Sequence, residues 1–325
     1  MKNQAYISKL EAGEAAQNSP FAGGALTQPV SGAIMAKTER RKRKMVCKLY
    51  GKPGEFLEEN RDFLLENEAL VQLNLGNAQT HREEGCHPGL LFGRYEEEGR
   101  MCLLFGNTAP WNICLNAPQG MEKSMEAAGE LARYLREGNI EIEGVTARED
   151  LAKAFMEAYG GEFSLRSSMD IMVLKKVIQP EKLPGAVRKT TGDDMGLVAQ
   201  WCHGFYLDIH GEDHSLEDIR KEQGGRVENG LYYLFEAPGE GAVSMAAVFR
   251  DLPHGTCISA VYTPPQHRGK GYCQNTVAAI CQEKLREGKE YCTLFVDKKN
   301  PISNRVYQKI GFEIIENCYE YKLVK

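Results

Sequence analysis

The alternation of hydrophobic and polar positions predicts the same order of secondary structure twice along the chain. In the first half it predicts a helical stretch over 54–75, a hairpin over 90–105, strand 111–115, helix 121–136, strand 140–145, helix 148–159 and strand 168–176. In the second half it predicts helices 193–207 and 216–222, a hairpin over 230–249, strand 258–263, helix 271–287, strand 291–297, helix 301–309 and a final strand pair over 312–323. We therefore expect two α/β (α+β) domains of one architecture.

The composition is that of a soluble globular protein with room for two domains. The chain has 325 residues, of which 42% are hydrophobic and 26% charged. Its formal charge of −5 disfavours a nucleic-acid partner. No apolar run approaches the roughly 20 residues of a membrane span, so we expect no membrane partner. The ten cysteines form no CxxC pair, which indicates a reducing cytoplasm and no metal site.

Four segments follow from the distribution of charge, proline and glycine. Residues 1–44 end in KTERRKRK, and we interpret them as a disordered basic extension rather than a nucleic-acid patch, because no aromatic residues interleave with the charges. The first domain is expected over 45–178, a proline-containing linker over 179–188, and the second domain over 189–325. Within the first domain the helical period places Met125 on the buried face of helix 121–136.

A glycine turn between a predicted strand and a predicted helix is the main candidate for chemistry. The strand stops at Pro264-Pro265, and the turn runs from Gln266 to Gly271 with Lys270 between two glycines. Unpaired backbone N–H groups at a helix start attract phosphate, but neither a Rossmann nor a P-loop pattern is present. The corresponding turn of the first half, 116–120, has a single glycine and no adjacent cation, so we expect only the second half to hold a diphosphate.

A second motif covers the helix at 301–309 and the residues on either side of it. Asn300 is a favourable N-cap, Pro301 suits the first helical position, and Gly311 suits the residue after the helix. The 3.6-residue period puts Ser303 and Tyr307 on one polar face. It puts Ile302, Val306 and Ile310 on the buried face.

Together, the two motifs resemble those of the GNAT superfamily of acyl-CoA-dependent N-acyltransferases. The first is Q-x-x-G-x-G at 266–271, and the second is the Asn, Tyr and Gly-Phe pattern of 300–312. The resemblance is close over about 244–312 and looser over 193–233. It implies two GNAT-like domains, each a mixed central sheet flanked by helices, of which the N-terminal copy is degenerate.

The resemblance also implies the roles of individual residues. Backbone N–H groups of 268–271 would bind the diphosphate of acetyl-CoA, and the N–H of Val261 would polarise the thioester carbonyl. Asn300 would bind the pantetheine arm, and Tyr307 would be the general acid. The full set of implied cofactor-binding residues is Val261, Tyr262, Gln266, His267, Arg268, Gly269, Lys270, Gly271, Tyr272, Asn300, Ser303, Asn304 and Tyr307.

The general base and the acceptor side are less well specified. Asp297 ends the strand before the second motif, and we take it as the candidate base, acting through water. A charged loop segment on the acceptor side contains Asp208, His210, Glu212, Asp213 and His214. Covalent catalysis by Cys257, Cys273 or Cys292 is disfavoured, because none has an evident His partner.

The predicted function is transfer of an acetyl group from acetyl-CoA to the primary amine of a small molecule by direct attack. One alternative is another acyl-CoA or an amino-acid acceptor. Another is an acyl-CoA-binding sensor without catalysis, which the absence of an evident base keeps open. We expect a monomer or homodimer, with no metal.

Overall fold

The structure is a computed structural model that describes residues 45–324, so the predicted basic extension lies outside the described residues. The N-terminal half contains, in order, β1 (Val46–Leu49), α1 (Pro53–Glu59), α2 (Arg61–Glu66), α3 (Glu68–Thr80), β2 (Leu90–Glu97), β3 (Arg100–Thr108), β4 (Ile113–Asn116), α4 (Ser124–Glu137), β5 (Gly144–Ala147), α5 (Glu149–Tyr159) and β6 (Phe163–Leu174).

The C-terminal half repeats this order with one helix fewer before its hairpin. It contains β7 (Ala186–Lys189), α6 (Met195–His210), α7 (Leu216–Glu228), β8 (Tyr232–Ala237), β9 (Gly241–Asp251), β10 (Gly255–Tyr262), α8 (Tyr272–Arg286), β11 (Tyr291–Asp297), α9 (Pro301–Lys309) and β12 (Glu313–Leu323). The predicted α/β class and the repeated element order are confirmed. Among the described residues no helix is long and apolar enough to cross a membrane.

Several predicted elements differ in extent or in burial. The single predicted stretch 54–75 is three helices, because the side chains of Asn60 and Asn67 donate to the carbonyls of Phe56 and Phe63 and end a helix at each point. The strand predicted over 140–145 begins only at Gly144. The expected burial of Met125 was wrong, because 49% of this residue is exposed.

All described strands belong to one twelve-stranded sheet with the order β1-β2-β3-β4-β5-β12-β6-β11-β10-β9-β8-β7. The last strand of each half lies in the sheet of the other half. β6 pairs antiparallel with β11, and β12 pairs antiparallel with β5. β6 and β12 also pair with each other and join the two halves. The strand pair expected over 312–323 is instead one long strand with two register shifts.

This exchange of strands decides where the hydrophobic core of the C-terminal half lies. Met172 and Leu174 on β6 are fully buried in a cluster with Val277 of α8 and with Tyr307 and Ile310 of α9. The N-terminal half therefore supplies part of the core beneath the two predicted motifs. A separate cluster joins α6 and α7 to the opposite face of β8, β9 and β10.

Candidate active site

The parallel strands β10 and β11 diverge towards their carboxyl ends. Their ladder runs only as far as the pair Cys257–Thr293. Beyond it, β11 stays paired with β6 up to Asp297–Met169, and β10 follows β9 up to Tyr262. A cleft therefore opens between the two strands, just before the glycine turn and the helix-cap motif. This separation depends on long-range pairing, so it cannot be read from the sequence; only the family resemblance implies it.

A β-bulge lies at the edge of this cleft. Between its paired residues Ser259 and Tyr262, β10 has one residue more than β9, so Ala260 and Val261 have no ladder partner within the described strands. Ala260 adopts a φ of +46°, which is rare for a residue with a Cβ atom. The bulge breaks the regular register of β10 at Ala260 and Val261, at the point where β10 separates from β11.

The glycine turn has the backbone that a phosphate site requires. After a short 3₁₀ turn, Pro265–His267, in which Gln266 is exposed, Gly269 and Gly271 have φ values of +77° and +86°. Gly271 is the N-cap of α8, and in the described chain the backbone N–H groups of residues 269–271 donate no hydrogen bond. The N–H of Arg268, also predicted to bind the diphosphate, instead donates to the carbonyl of Pro265 at 3.3 Å. A Cβ atom built on Gly269 meets no atom within 4 Å, so the space over the turn is open. These residues fit a diphosphate.

The Arg268 side chain connects the turn to helix α6. Its Nε donates to the carbonyl of Thr263 at 2.8 Å, and its Nη2 donates to the carboxylate of Asp208. The guanidinium carbon lies 5.7 Å from the ring centre of Tyr262. Burial and the Asp208 carboxylate raise the pKa of Tyr262. The phenol therefore stays neutral where it lines the site.

The Lys270 side chain has a carboxylate partner as well. Glu240, in the turn between β8 and β9, lies 3.3 Å from the Lys270 Nζ and accepts a hydrogen bond of 3.0 Å from the hydroxyl of Tyr272. The Nδ1 of His267 lies 3.1 Å from the same carboxylate. The Tyr272 hydroxyl and the Lys270 ammonium hold the pKa of Glu240 below its usual range.

The cap of α9 is built as the sequence predicts. The side chain of Asn300 accepts a hydrogen bond of 3.0 Å from the backbone N–H of Ser303, and Pro301 occupies the first turn. Asn304 donates to the carbonyls of Asp297 and Asn300, both at 2.9 Å. These bonds hold the end of β11 and the start of α9 in one rigid corner beside the cleft.

Tyr307 is positioned by the end of α9. Gly311, with φ at +106°, follows the helix, and the N–H groups of Gly311 and Phe312 donate to the carbonyls of Gln308 and Tyr307 at 3.1 Å each. This is a Schellman motif, which brings the residue after the glycine against the last helical turn. The rings of Tyr307 and Phe312 accordingly meet edge to face, with centres 5.9 Å apart.

The Tyr307 side chain is buried rather than on an exposed polar face. Only 7% of it is accessible, and burial, with smaller effects of Cys273 and Cys281 on α8, raises its pKa well above the usual range. The phenol therefore keeps its proton at all physiological pH values. The burial predicted for Ile302 was wrong, since 76% of it is exposed, whereas Ile310 is buried as expected.

Asp297, the predicted base, uses its carboxylate within its own turn. Its Oδ1 accepts a hydrogen bond of 2.8 Å from the backbone N–H of Lys299. Its role as base stays a prediction. The thiols of Cys257 and Cys273 are held neutral, because burial raises the pKa of both, that of Cys273 to about 12. Cys292 is fully buried.

One of the predicted acceptor-side residues, Glu212, contacts the last strand of the N-terminal half. Glu212, in the loop after α6, binds Arg166 of β6 at 2.7 Å and His214 at 2.9 Å. Arg166 also binds Glu320 of β12 at 3.3 Å. Asp213 is largely exposed. The side chain of His210, the last residue of α6, lies outside the described part of the chain.

The N-terminal half has the same divergence of strands without the glycine turn. β4 and β5 pair only at Ile113–Val145 and Cys114–Thr146. A pocket lies beyond that point, and the turn 116–120 follows β4 in place of a phosphate loop. The pocket is lined mainly by apolar side chains of α2, α3, β4, β6, β11 and β12, with polar groups at Asn67, Asn116, Thr146, Arg148, Glu316 and Asn317.

Comparison with known proteins agrees with this arrangement. Residues 239–321 match the family model described as FR47-like protein, and this range includes both predicted motifs. No curated protein matches the sequence. The solved structure of a GCN5-related N-acetyltransferase from Sphaerobacter thermophilus matches with a TM-score of 0.60 at 13% identity, over 86% of this chain and 95% of that one.

Two further structures match over the same share of the chain. A GNAT-family acetyltransferase from Colwellia psychrerythraea has a TM-score of 0.56 at 8% identity, with 86% of this chain and 100% of that chain covered. The chain has the GNAT fold. A tandem GNAT protein of the clavulanic acid biosynthesis pathway also matches, with a TM-score of 0.52 at 12% identity, over 86% of this chain and 97% of that one. The predicted resemblance to the GNAT superfamily is thereby confirmed.

Sequence reasoning missed three features of this candidate site. Ala260 carries no signal, because alanine does not favour positive φ. Asp208 was assigned to the acceptor side, yet it binds Arg268 of the glycine turn. Glu240 lies outside the predicted site, although two glycines flank it and mark a tight hairpin turn.

Proposed function

We propose that the chain is an N-acetyltransferase that uses acetyl-CoA to acetylate the primary amine of a small molecule. One observation carries the proposal. The cleft between β10 and β11 leads directly into a turn in which the backbone N–H groups of residues 269–271 donate no hydrogen bond within residues 45–324. That turn begins the helix against which Tyr307 packs. The diphosphate, the pantetheine arm and the thioester of acetyl-CoA would each contact suitable groups along the cleft and the turn.

The chain's own residues hold the ligand in three places. The N–H groups of residues 269–271 and the positive end of the α8 dipole would bind the diphosphate. Backbone groups of the bulge in β10 would bind the pantetheine amides, and the N–H of Val261 would face the carbonyl oxygen. The corner made by Asn300, Ser303 and Asn304 would close the other side of the arm.

Acetyl-CoA supplies a thioester, whose carbonyl carbon bonds to the amine nitrogen while its C–S bond breaks. Two protons must move. The amine gives one to a base, for which we keep Asp297 acting through water. The departing sulfur takes one from the hydroxyl of Tyr307, which burial keeps protonated. The acceptor would enter from the side of Arg166, Glu212 and Glu320.

A second candidate is a non-catalytic acyl-CoA sensor, favoured by the engagement of Asp297 with the backbone of Lys299. Measuring the release of free thiol from acetyl-CoA with each member of a library of primary amines distinguishes the transferase from the sensor. Amine-dependent release at a turnover typical of enzymes supports the transferase. Tight binding of acetyl-CoA without release for any amine supports the sensor.

Tyr307→Phe tests the proton donor. We expect turnover to fall about 10²- to 10⁴-fold, while the affinity for CoA stays unchanged, because only the hydroxyl is removed. Tyr159→Phe is the matched control, since Tyr159 packs against Phe155 in the N-terminal half. Equal turnover in the two variants would remove Tyr307 from the mechanism.

Gly269→Val tests the position of the phosphate. The side chain would enter the open space above the turn and block the approach of a ligand to the backbone. We expect calorimetry to show loss of CoA binding. Gly99→Val controls for strain, because Gly99 has a φ of +74° and open surroundings at a hairpin tip of the N-terminal half. Unchanged CoA affinity of the Gly269 variant would contradict the proposed site.

A further inference from the structure

Both cationic side chains of the glycine turn are already paired with carboxylates from other elements. Arg268 binds Asp208 at the end of α6, and Lys270 lies 3.3 Å from Glu240 in the β8–β9 turn. Each cation therefore has one counter-charge, and these four side chains sum to zero net charge. The N–H groups of residues 269–271 have no such partner within the described chain.

Glu240 is placed to contact several groups of the turn at once. Its carboxylate reaches the ammonium of Lys270, the hydroxyl of Tyr272 at 3.0 Å and the Nδ1 of His267 at 3.1 Å. The glycines on either side, Gly239 and Gly241, have φ values of +76° and +74°, and they allow the hairpin to turn sharply enough to present this side chain. The ammonium of Lys270 and the hydroxyl of Tyr272 both donate to this one carboxylate, and a phosphate oxygen at the turn would require the same kind of donors.

We propose that Glu240 and Asp208 are built-in counter-anions of the phosphate loop, which hold its two cations and thereby lower its affinity for phosphate groups. This inference rests on the proposed function, because it takes the phosphates of CoA to bind at the turn. A phosphate that approaches Lys270 or Arg268 must displace a carboxylate or share the cation with it. The electrostatic gain from either side chain is therefore largely cancelled.

Pairing of both cations also affects which phosphate-containing ligands the turn binds. With its cations neutralised, the turn holds a ligand mainly through backbone N–H groups and the helix dipole. A simple phosphate or nucleotide that lacks the pantetheine arm would then bind weakly, because the cleft between β10 and β11 adds nothing to its affinity. The affinity of the wild-type protein for CoA should also depend little on salt, since few net charges are brought together.

The test measures CoA binding by calorimetry for wild type, Glu240→Gln, Asp208→Asn and the double variant. The amides keep the size of each side chain and most of its hydrogen bonds, and they remove its charge. At about 50 mM salt we expect each single variant to bind CoA about 3- to 10-fold more tightly than wild type, and the double variant more tightly still. At about 500 mM salt the differences should largely disappear.

Glu236→Gln is the matched control, because Glu236 lies on the same hairpin and pairs with Arg188 rather than with the turn. It should bind CoA as wild type does. Equal or weaker binding by Glu240→Gln at low salt would overturn the proposal and leave Glu240 as a support for Lys270 and Tyr272. Failure of wild type to bind CoA would instead overturn the proposed function, so the two failures are distinguishable.

Discussion

Met172→Ala tests whether the N-terminal half stabilises the C-terminal half through the exchanged strand. Met172 lies on β6, and none of its side chain is exposed. It packs in the core that contains Tyr307 and Val277, more than a hundred positions away in the sequence. Removing this side chain therefore opens a cavity under α8 and α9, although the residue belongs to the first half of the chain.

The expected cost follows from that burial. Truncation of a fully buried methionine to alanine typically costs about 2–5 kcal/mol, made up of lost transfer free energy and a residual cavity. A domain is stable by only about 5–15 kcal/mol in total. The substitution should therefore lower the free energy of unfolding of both halves measurably, and in a single transition.

Urea unfolding followed by circular dichroism measures the loss, and CoA calorimetry shows whether the site is affected. Met125→Ala is the matched control, because 49% of Met125 is exposed in the same half, and it should stay within about 0.5 kcal/mol of wild type. Equal stability of the two variants would refute the assignment of β6 to the C-terminal core. So would separate transitions in which only the N-terminal half is weakened.

Three further predictions follow from single contacts and from the sheet order. Gly311→Ala should cost on the order of 2 kcal/mol in chemical unfolding, because φ is +106° and a Cβ atom would lie 2.7 Å from the backbone oxygen of Lys176. Arg188 holds the pKa of Asp194 below its usual value, so Asp194→Asn should cost about 1 kcal/mol at pH 7 and progressively less as the pH falls below about 4 in acid titrations of stability. Residues 179–325 expressed alone lack β6 and should bind CoA only when the rest of the chain is supplied in trans.

The pH dependence expected for Asp194→Asn has a definite direction. A carboxyl whose pKa is lowered by folding stabilises the protein above its unfolded pKa, and this stabilisation is lost on acidification; a difference that grew at low pH would contradict the pairing of Asp194. Gly85→Ala controls for Gly311→Ala, because a Cβ atom on Gly85 meets nothing within 4 Å. A fragment 179–325 that folds and binds CoA on its own would contradict the strand exchange.

Local features of the candidate site could be predicted from the sequence. The end of β10 before Pro264, the positive φ of Gly269 and Gly271, and the cap of α9 at Asn300 each depend on a few neighbouring residues. Their backbone conformations are set by the residue types themselves. Gly311 after α9 belongs to the same class.

The helical period predicts burial correctly only where another element packs against that part of the helix. The period correctly placed Ile310 in the core, but it also placed Ile302 there, and the structure leaves Ile302 in solvent. The reason is that α9 has only nine residues, and the sheet below covers its last turn rather than its first. Met125 differs, because the first turn of α4 is covered: Ser124 and Ala127 are buried there, and Met125 itself faces away from the buried side.

The α/β class, the repeated order of elements and both site motifs can be read from the amino-acid sequence, because turns, caps and periodic patterns act over a few residues. The tertiary structure alone decided the exchange of β6 and β12, the divergence of β10 from β11, the bulge at Ala260 and the pairing of Arg268 and Lys270 with Asp208 and Glu240. Each of these joins segments that are distant in the chain. Strand order and ion pairing are selected by the packing of the whole sheet, and no local pattern specifies them.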